Sequence, residues 1–384
     1  MKDLFLLRDD ITFLNFGSFG ACPKEIFEDY IQWQYLLEKE PVQFITVDGY
    51  NYIDTSIRAL AGFLNCSPDS LVYVPNPTHA MNLLIKSLPL APGDEILTTD
   101  LEYGAMDRTW SYYCKRSGAS YKQQKIELPL TSKEKFLEDF WSGYTDKTKV
   151  VFISQITSST ALILPVKEIC DEAKKRGLIT IIDGAHVPGH IPLDLTDLDP
   201  DYYTGACHKW MMTPKGSSFL YARKELKDQL EPLIISWGYD SFKPSGNLYF
   251  DYHQFNGTRD FSAYLTIPKA LEFRDKYNWQ KVTENCRSEL RKVAPLLFQE
   301  LNTTPLAPLS EEFFGQICSA RIKTEEPEKL QRLLFDKYKI EIPVMRHGNS
   351  CFIRFSFQAF NNEKEIHYLI DSLRDIKRNS GLIV

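Results

Sequence analysis

Long apolar runs are missing from this 384-residue chain. A membrane-spanning helix needs about 18 or more consecutive apolar residues, and no such stretch occurs. The N-terminal MKDLFLLRDD has only a short apolar run before two aspartates, which predicts neither a secretory signal nor a membrane anchor. The chain also lacks a basic block, and its net charge is −6. We therefore expect neither membrane association nor a nucleic-acid partner.

Paired cysteines are also missing. The eight cysteines are scattered and form no Cys-x-x-Cys motif. In a chain of this length, that pattern predicts free thiols in a reducing compartment, and the cytoplasm is the expected location.

A metal site is not expected. His186 and His190 are four residues apart, a spacing that suits a metal only on a helix. Pro188 and Gly189 lie between them and argue against a helix, and no third ligand is evident. We interpret His190 as structural.

The middle of the chain alternates strand-like and helix-like segments. Strands are predicted at 70–74, 94–99, 149–154, 178–183, 201–206 and 217–223. Helices are predicted at 78–88 with Thr78 as N-cap, at 103–118 ending in Gly118, and at 164–177. Such alternation predicts an α/β fold with a mostly parallel sheet between helices.

The pattern changes near residue 256. A long helical region is predicted at 266–301, followed by strands at 315–322 and 351–357 with a helix at 326–338 between them. We therefore predict a large domain at 15–255 and a smaller C-terminal α/β domain at 256–384, with residues 1–14 packing on the smaller one.

Polar side chains follow several predicted strands. Asp183 ends the apolar LITIID, Ser158 follows VVFIS, and Lys209 follows DYYTGA. Thr78 begins a helix after LVYV, and Tyr103 follows EILTT. Because sites in parallel sheets lie at the carboxyl ends of the strands, we expect these groups to meet at one edge.

These groups suit pyridoxal phosphate. That cofactor needs a lysine amine for its aldehyde and a carboxylate against its ring nitrogen. Its phosphate requires helix N–H groups and hydroxyls, and its ring face requires an aromatic side chain. The predicted sheet edge offers all of them.

The sequence also resembles a known family, the class V aminotransferases, which are pyridoxal-phosphate enzymes of fold type I. The likeness is to the subgroup that includes isopenicillin N epimerase and hercynylcysteine sulfoxide lyase. It covers residues 13–360 and is carried by FLNFGSFGACP, PNPTHAMNLL, LEYGAM, SQITSSTALILPV, IIDGAHVPGHIPLDL, YYTGACHKWMMTPKGSSFL, NGTRDFSAYL and IRFSF.

The resemblance implies roles around the cofactor. Lys209 would be the Schiff-base lysine and, once released, the base that moves the Cα proton. Asp183 would pair with the ring nitrogen. His186 and Ser158 would bind the phenolic oxygen, with Thr157, Ser159 and Thr160 as rivals of Ser158. Tyr103 would stack on the ring, while Thr78, the backbone at His79, and His208 would hold the phosphate.

The resemblance also implies a homodimer with active sites at the interface. Gly257 and Thr258 would reach the phosphate of the neighbouring subunit. Arg354 would grip the substrate carboxylate, and the alternative for Arg354 is an internal ion pair. Asn15, Ser18 and Arg259 would lie on the substrate side, although Arg259 fits a structural ion pair equally well.

The reaction expected from these residues starts with removal of the Cα proton of an amino acid. We favour β-elimination, a C–S lyase acting on a cysteine conjugate or cysteine sulfoxide, because elimination needs one mobile base. Epimerisation and transamination are the alternatives. A cysteine desulfurase using Cys351, or a catalytically silent binding protein, is a further alternative. Cys351 is interpreted as a core residue because it lies on the predicted strand of Arg354.

Overall fold

The structure is a computed structural model that describes all 384 residues. Its strands are β1 (Thr12–Phe13), β2 (Leu71–Val74), β3 (Glu95–Thr99), β4 (Ser120–Gln124), β5 (Thr148–Ser154), β6 (Ile179–Asp183), β7 (Tyr202–Ala206), β8 (Ser218–Ala222), β9 (Ile317–Ile322), β10 (Ile340–Glu341), β11 (Val344–His347) and β12 (Ser350–Ser356).

The α-helices are α1 (Phe16–Phe19), α2 (Lys24–Lys39), α3 (Pro41–Gln43), α4 (Gly49–Leu64), α5 (Pro77–Ser87), α6 (Gly104–Ser117), α7 (Lys133–Trp141), α8 (Val166–Lys175), α9 (Leu195–Leu198), α10 (Leu248–Gln254), α11 (Ser262–Leu265), α12 (Ile267–Lys276), α13 (Trp279–Glu300), α14 (Pro327–Tyr338) and α15 (Glu363–Asn379). Short 3-10 helices at Lys2–Leu4, Pro68–Ser70 and Lys227–Gln229 and a π-helix at Phe44–Asp48 complete the set. None of the helices has the length and apolarity that a membrane crossing requires.

A seven-stranded sheet forms the centre, in the order β2-β8-β7-β6-β5-β3-β4. All neighbouring strands are parallel except β8, which is antiparallel to β2 and β7. Strands β2, β7 and β8 are buried along their whole length, as their continuous apolar sequences predict. The predicted α/β fold class is confirmed.

Six of these strands were predicted from sequence, and each begins and ends within one residue of the expected bounds. Edge strand β4 was missed because its sequence SYKQQ is polar and half-exposed. The predicted N-cap of α5 was wrong. The cap is Asn76, whose side chain accepts the backbone N–H of His79, while Thr78 lies inside the first turn after Pro77.

The long C-terminal helical region is two helices. α12 and α13 are separated at Asn278, which has a left-handed backbone with φ of +46°. Asparagine tolerates this conformation better than most residues, so the chain turns there without a glycine.

A second, smaller sheet is antiparallel and has the order β11-β12-β9. The N-terminal segment packs beside it, because β1 pairs with β10 and Leu14 exchanges backbone hydrogen bonds with Glu341 and Ser356. The backbone N–H of Phe16, the next helix start, donates to the Ser356 side chain at 2.7 Å. These contacts fix α1 beside β12.

Gly20 lets α1 approach the loop after β7. Its φ is +64°, and a Cβ at this position would lie 2.5 Å from the carbonyl oxygen of His208 and 2.9 Å from the Cα of Lys209. No other residue fits without moving that backbone.

We predict that Gly20→Ala lowers the free energy of unfolding by about 1–3 kcal/mol, since it combines an unfavourable φ with a backbone clash. Gly62→Ala is the matched control. Gly62 lies in α4 with open space around its Cα, so this change should stabilise the protein by about 0.5–1 kcal/mol. Urea unfolding measures the change in the free energy of unfolding for both variants. Equal changes would show that the close approach at Gly20 is unimportant for stability.

Candidate active site

A cavity of about 370 Å³ opens at the carboxyl edge of the large sheet, where the small sheet and α1 meet it. Nine of the residues expected in the site line it: Ser18, Thr78, Tyr103, Ser158, Asp183, His186, His208, Lys209 and Arg354. The large sheet, α1 and β12 therefore bring together groups that are more than 300 residues apart in sequence.

Lys209 lies at the base of this cavity, three residues after β7. Its Nζ is 3.2 Å from Nε2 of His186. Burial, with a smaller contribution from the Arg354 guanidinium, lowers the Lys209 pKa to about 7, and Asp183 only partly opposes this. A substantial fraction of the amine is therefore neutral near pH 7, which suits a nucleophile or base.

His186 is buried and electrically neutral. Burial, reinforced by the positive charges of Lys209 and Arg354, holds its pKa well below the usual value. Its Nδ1 has no hydrogen-bond partner in the protein. Buried polar atoms generally have a hydrogen-bond partner, so a ligand in the cavity could provide one for this nitrogen.

Asp183 ends β6, and its side chain is buried. Within the chain, this side chain accepts one hydrogen bond, from the backbone N–H of Ala185 to Oδ1 at 2.9 Å. Burial raises the Asp183 pKa, and the Ala185 N–H and the charge of Lys209 counter the shift. A cationic ring nitrogen in the cavity would stabilise the ionised carboxylate further.

The N-terminus of α5 forms another wall, and Asn76, Pro77 and Thr78 line it. Pro77 has no N–H, and the N–H of His79, which was expected to hold the phosphate, donates to the Asn76 side chain, so the backbone N–H of Thr78 and the helix dipole are what this wall offers an anion. His208 lies near this wall, and its Nδ1 is 3.0 Å from the carbonyl oxygen of Ser217. Burial lowers the His208 pKa to about 4.

Arg354 is buried on β12, and its guanidinium has no acidic partner in the chain. Nη1 donates to the carbonyl oxygen of Ser158 at 2.6 Å, and Nη2 donates to Oγ of Ser18 at 2.9 Å. Burial lowers its pKa to about 10, so the group stays cationic at neutral pH. A buried cation held only by neutral oxygens favours binding of a carboxylate.

Asn15 supports this arrangement from outside the cavity. Its Oδ1 accepts a hydrogen bond from Ser18 at 2.5 Å, and its Nδ2 donates to Glu341 at 3.3 Å. Asn15 therefore orients Ser18, which in turn contacts Arg354.

The hydroxyls after β5 have distinct partners. Oγ1 of Thr157 and Oγ1 of Thr160 are 2.7 Å apart, and Thr157 also accepts the backbone N–H of Leu162. These bonds close a turn and leave Ser158 as the hydroxyl of this loop that lines the cavity. Ser154 also lines it, a position that sequence analysis did not identify.

Besides Asn15, four expected residues lie outside the cavity of their own chain. Gly257 and Thr258 are exposed, and His79 is in the first turn of α5. The Arg259 guanidinium lies over the ring of Tyr264 and donates to its hydroxyl at 3.2 Å. Arg259 has no acidic partner, so the structural ion pair considered from sequence is not formed.

Glu102 was missed by sequence analysis. This carboxyl group, next to Tyr103 in the sequence, is buried. Its Oε1 accepts a hydrogen bond from Oγ1 of Thr99 at 2.7 Å. Oε2 accepts the hydroxyl and the backbone N–H of Ser154, at 2.6 and 3.0 Å. Burial raises its pKa to about 8. The only signal in the sequence is an acidic residue in a tight turn after an apolar strand.

No group of three or more metal-ligating side chains occurs in the structure. His190 is structural, because its Nδ1 is 2.8 Å from the carbonyl oxygen of His186 and its Nε2 accepts the backbone N–H of Gln316 at 2.5 Å. Its ring also stacks on Trp210, with 4.0 Å between centroids.

Cys351 cannot serve this cavity. It is three residues before Arg354 on β12, so its side chain projects from the opposite face of the strand. Its Sγ donates to the carbonyl oxygen of Thr324 at 3.4 Å, and no cysteine lines the cavity.

The chain matches the family model described as aminotransferase class V over residues 48–369. It is 30% identical to isopenicillin N epimerase of Streptomyces clavuligerus, over 96% of this chain and 95% of that protein. It is 29% identical to the enzyme of the same name from Amycolatopsis lactamdurans, over 96% of each chain. It is 25% identical to a probable chloroplastic L-cysteine desulfhydrase of Arabidopsis thaliana, over 96% of this chain and 84% of that protein.

Solved structures share the fold. A cysteine desulfurase from Thermococcus onnurineus NA1 superposes with a TM-score of 0.82 at 18% identity, covering 98% of this chain and 97% of that one. The cystine C–S lyase C-DES superposes with a TM-score of 0.80 at 22% identity, covering 96% of this chain and 98% of that one. The fold is therefore that of fold type I enzymes.

We predict that Glu102→Gln removes a pH dependence of stability. The folded-state pKa of about 8 exceeds the model-peptide value of 4.5, so the folded protein retains a proton that the unfolded chain releases. The wild-type free energy of unfolding should therefore fall as pH rises from about 4.5 to about 8, by at most about 1.4 kcal/mol per pH unit. Glutamine mimics the protonated acid and should flatten this slope.

Thermal unfolding between pH 5 and pH 8.5 measures the difference. Glu138→Gln is the control, since Glu138 is 74% exposed and pairs with Lys135 at the surface. If wild type and Glu102→Gln lose stability in parallel with rising pH, Glu102 is ionised in the folded protein.

Proposed function

The chain belongs to the class V aminotransferase family of pyridoxal-phosphate enzymes, and on this basis we propose that it is a C–S lyase. Its substrate in this proposal is a cysteine conjugate or cysteine sulfoxide, from which it eliminates the sulfur substituent. Similarity to a cysteine desulfhydrase and to a cystine C–S lyase supports this reaction class.

The residues present fit pyridoxal 5′-phosphate. Lys209 provides an amine whose pKa is about 7, and Asp183 provides a buried carboxylate for a cationic ring nitrogen. The unpartnered Nδ1 of His186 would gain a hydrogen-bond partner from a bound ligand. Thr78 and the start of α5 would hold the phosphate, and Tyr103, 47% exposed at the cavity, would cover the ring.

The bound cofactor supplies an aldehyde for the amine and a ring that accepts electrons when the Cα–H bond breaks. Arg354 binds the substrate carboxylate and thereby fixes the orientation of the Cα–H bond. Lys209 would be the base that removes the Cα proton. Asp183 would hold a cationic ring nitrogen, and the Cβ–sulfur bond of the substrate would break to complete the elimination.

One observation carries the proposal: Lys209 is the one amine among the residues that line the cavity, and its pKa of about 7 makes it the base available for the Cα proton. His186 and His208 are neutral, with pKa values lowered by burial, and no cysteine is present to accept sulfur as a persulfide. One mobile base is sufficient for elimination, whereas epimerisation requires a second proton donor on the other face of Cα.

Epimerisation is the second candidate. Two relatives with 29% and 30% identity are isopenicillin N epimerases, and Tyr103, which lines the cavity, would be the second proton donor. Transamination would require the same first step, and no feature of the cavity favours it over elimination.

We also propose a homodimer and a two-domain chain. The exposed Gly257 and Thr258 lie outside the cavity of their own chain, as expected of residues that reach the phosphate in a neighbouring subunit. The domain boundary would lie after residue 255, where α10 has ended at Gln254. The cytoplasm is the proposed location.

We predict that Lys209→Ala abolishes the visible absorbance band formed by the lysine and the cofactor, because no other lysine lines the cavity. Lys224→Ala, which changes an exposed lysine, is the control and should retain the band. Addition of S-substituted L-cysteines to the wild type should produce pyruvate and ammonia. Loss of optical rotation without pyruvate would favour the epimerase instead.

We predict that kcat for pyruvate formation rises with pH around pH 7 and then reaches a plateau. The base must be neutral to accept the Cα proton, and the neutral amine is favoured above its pKa of about 7. Initial rates at saturating substrate between pH 5.5 and pH 9 give the profile. A rate that falls across this range would assign the proton transfer to a different group.

A further inference from the structure

We infer that Phe19 and Met345 form the pocket for the substrate side chain and select an uncharged, apolar sulfur substituent over an anionic one. This inference rests on the proposed function and specifies its substrate class. Both side chains line the cavity, and they lie on two separate elements, α1 and β11.

Phe19 is held at a fixed place beside the reacting groups. The preceding residue, Ser18, accepts a hydrogen bond from Arg354 at 2.9 Å. The following residue, Gly20, packs directly on the backbone of His208 and Lys209. A side chain between these two anchors lies close to both the carboxylate-binding group and the catalytic amine.

Phe19 is also 68% exposed, whereas the neighbouring Phe16 is fully buried against Trp210. Of the aromatic residues near the N-terminus, Phe44 is also buried, and Trp33 is partly buried against the core. Of these four rings, Phe19 is therefore the one that both lines the cavity and is free to contact a ligand. Its exposed apolar surface would leave water when an apolar group binds.

Met345 approaches from the small sheet. It is half-buried on β11, opposite Phe352 of β12. A methionine side chain is flexible and polarisable, so it adapts to apolar groups of different shape. Ile156 and Met106 are buried apolar residues that also line the cavity.

The charges of the cavity argue against an anionic substituent. Its basic groups are Lys209 and the cationic Arg354, and the proposed reaction uses both, for the Cα proton and for the α-carboxylate. A second carboxylate on the substrate would have no cation to pair with and would lie in the same cavity as Asp183. An unpaired buried charge is strongly disfavoured.

The elimination consumes water and is redox-neutral. With a cysteine conjugate as substrate, the Cα–H and Cβ–S bonds break, the departing sulfur takes a proton to give a thiol, and hydrolysis of the released enamine gives pyruvate and ammonium; a cysteine sulfoxide would release a sulfenic acid instead. The substituent of a conjugate leaves as a free thiol, so the pocket formed by Phe19 and Met345 determines which thiol is released.

The test compares S-benzyl-L-cysteine with S-(2-carboxyethyl)-L-cysteine on the cofactor-loaded enzyme. The dissociation constant of each is measured from the change in the cofactor absorbance, and kcat/KM is measured from pyruvate formation. We expect the benzyl conjugate to be favoured at least about tenfold in both quantities. Phe19→Ala should reduce this preference about tenfold, and Phe19→Arg should invert it. Tyr112→Ala, an exposed aromatic change on α6, is the matched control.

The two measurements separate the inference from the proposed function. If both conjugates bind with the benzyl preference but neither yields pyruvate, the lyase proposal fails and the assignment of the pocket stands. If the carboxyethyl conjugate binds equally well or better, or if Phe19→Ala and Phe19→Arg leave the preference unchanged, the assignment of the pocket is wrong.

Discussion

Two basic groups, Lys209 and Arg354, are buried in one cavity with a single carboxylate, Asp183, and the rest of the site depends on this imbalance. Burial and mutual repulsion lower the pKa of Lys209 toward neutrality, whereas arginine retains its charge. The same two effects keep His186 neutral. One arrangement of charges therefore gives a reactive amine, a neutral imidazole and a permanent carboxylate receptor.

Keeping these ionisable groups buried close together costs free energy when no ligand is bound. The rigid fold holds them in place. The large sheet fixes Asp183 and Lys209 at the ends of adjacent strands, β6 and β7, inside a continuous core. Arg354 comes from the small sheet, and its guanidinium is held by the Ser158 carbonyl and the Ser18 hydroxyl. His190 links the two sheets, since it hydrogen-bonds to both His186 and Gln316.

Much of this could be predicted from the sequence. The strand–helix alternation gave the large sheet, and side chains that follow strands gave Asp183, Lys209, Tyr103 and Ser158, because a parallel sheet gathers the carboxyl ends of its strands. Contacts between distant segments could not be predicted. Glu102, Ser154 and Met345 have no distinctive local pattern, and Asn15 acts only through Ser18.

The N-terminal segment limits where a chain of this family can be cut without damage to the site. The region matched by the family model starts at residue 48, yet Ser18 and Phe19 line the cavity and Gly20 rests on the backbone of Lys209. A fragment cut to the matched region would keep the lysine and the aspartate but lose one wall of the cavity.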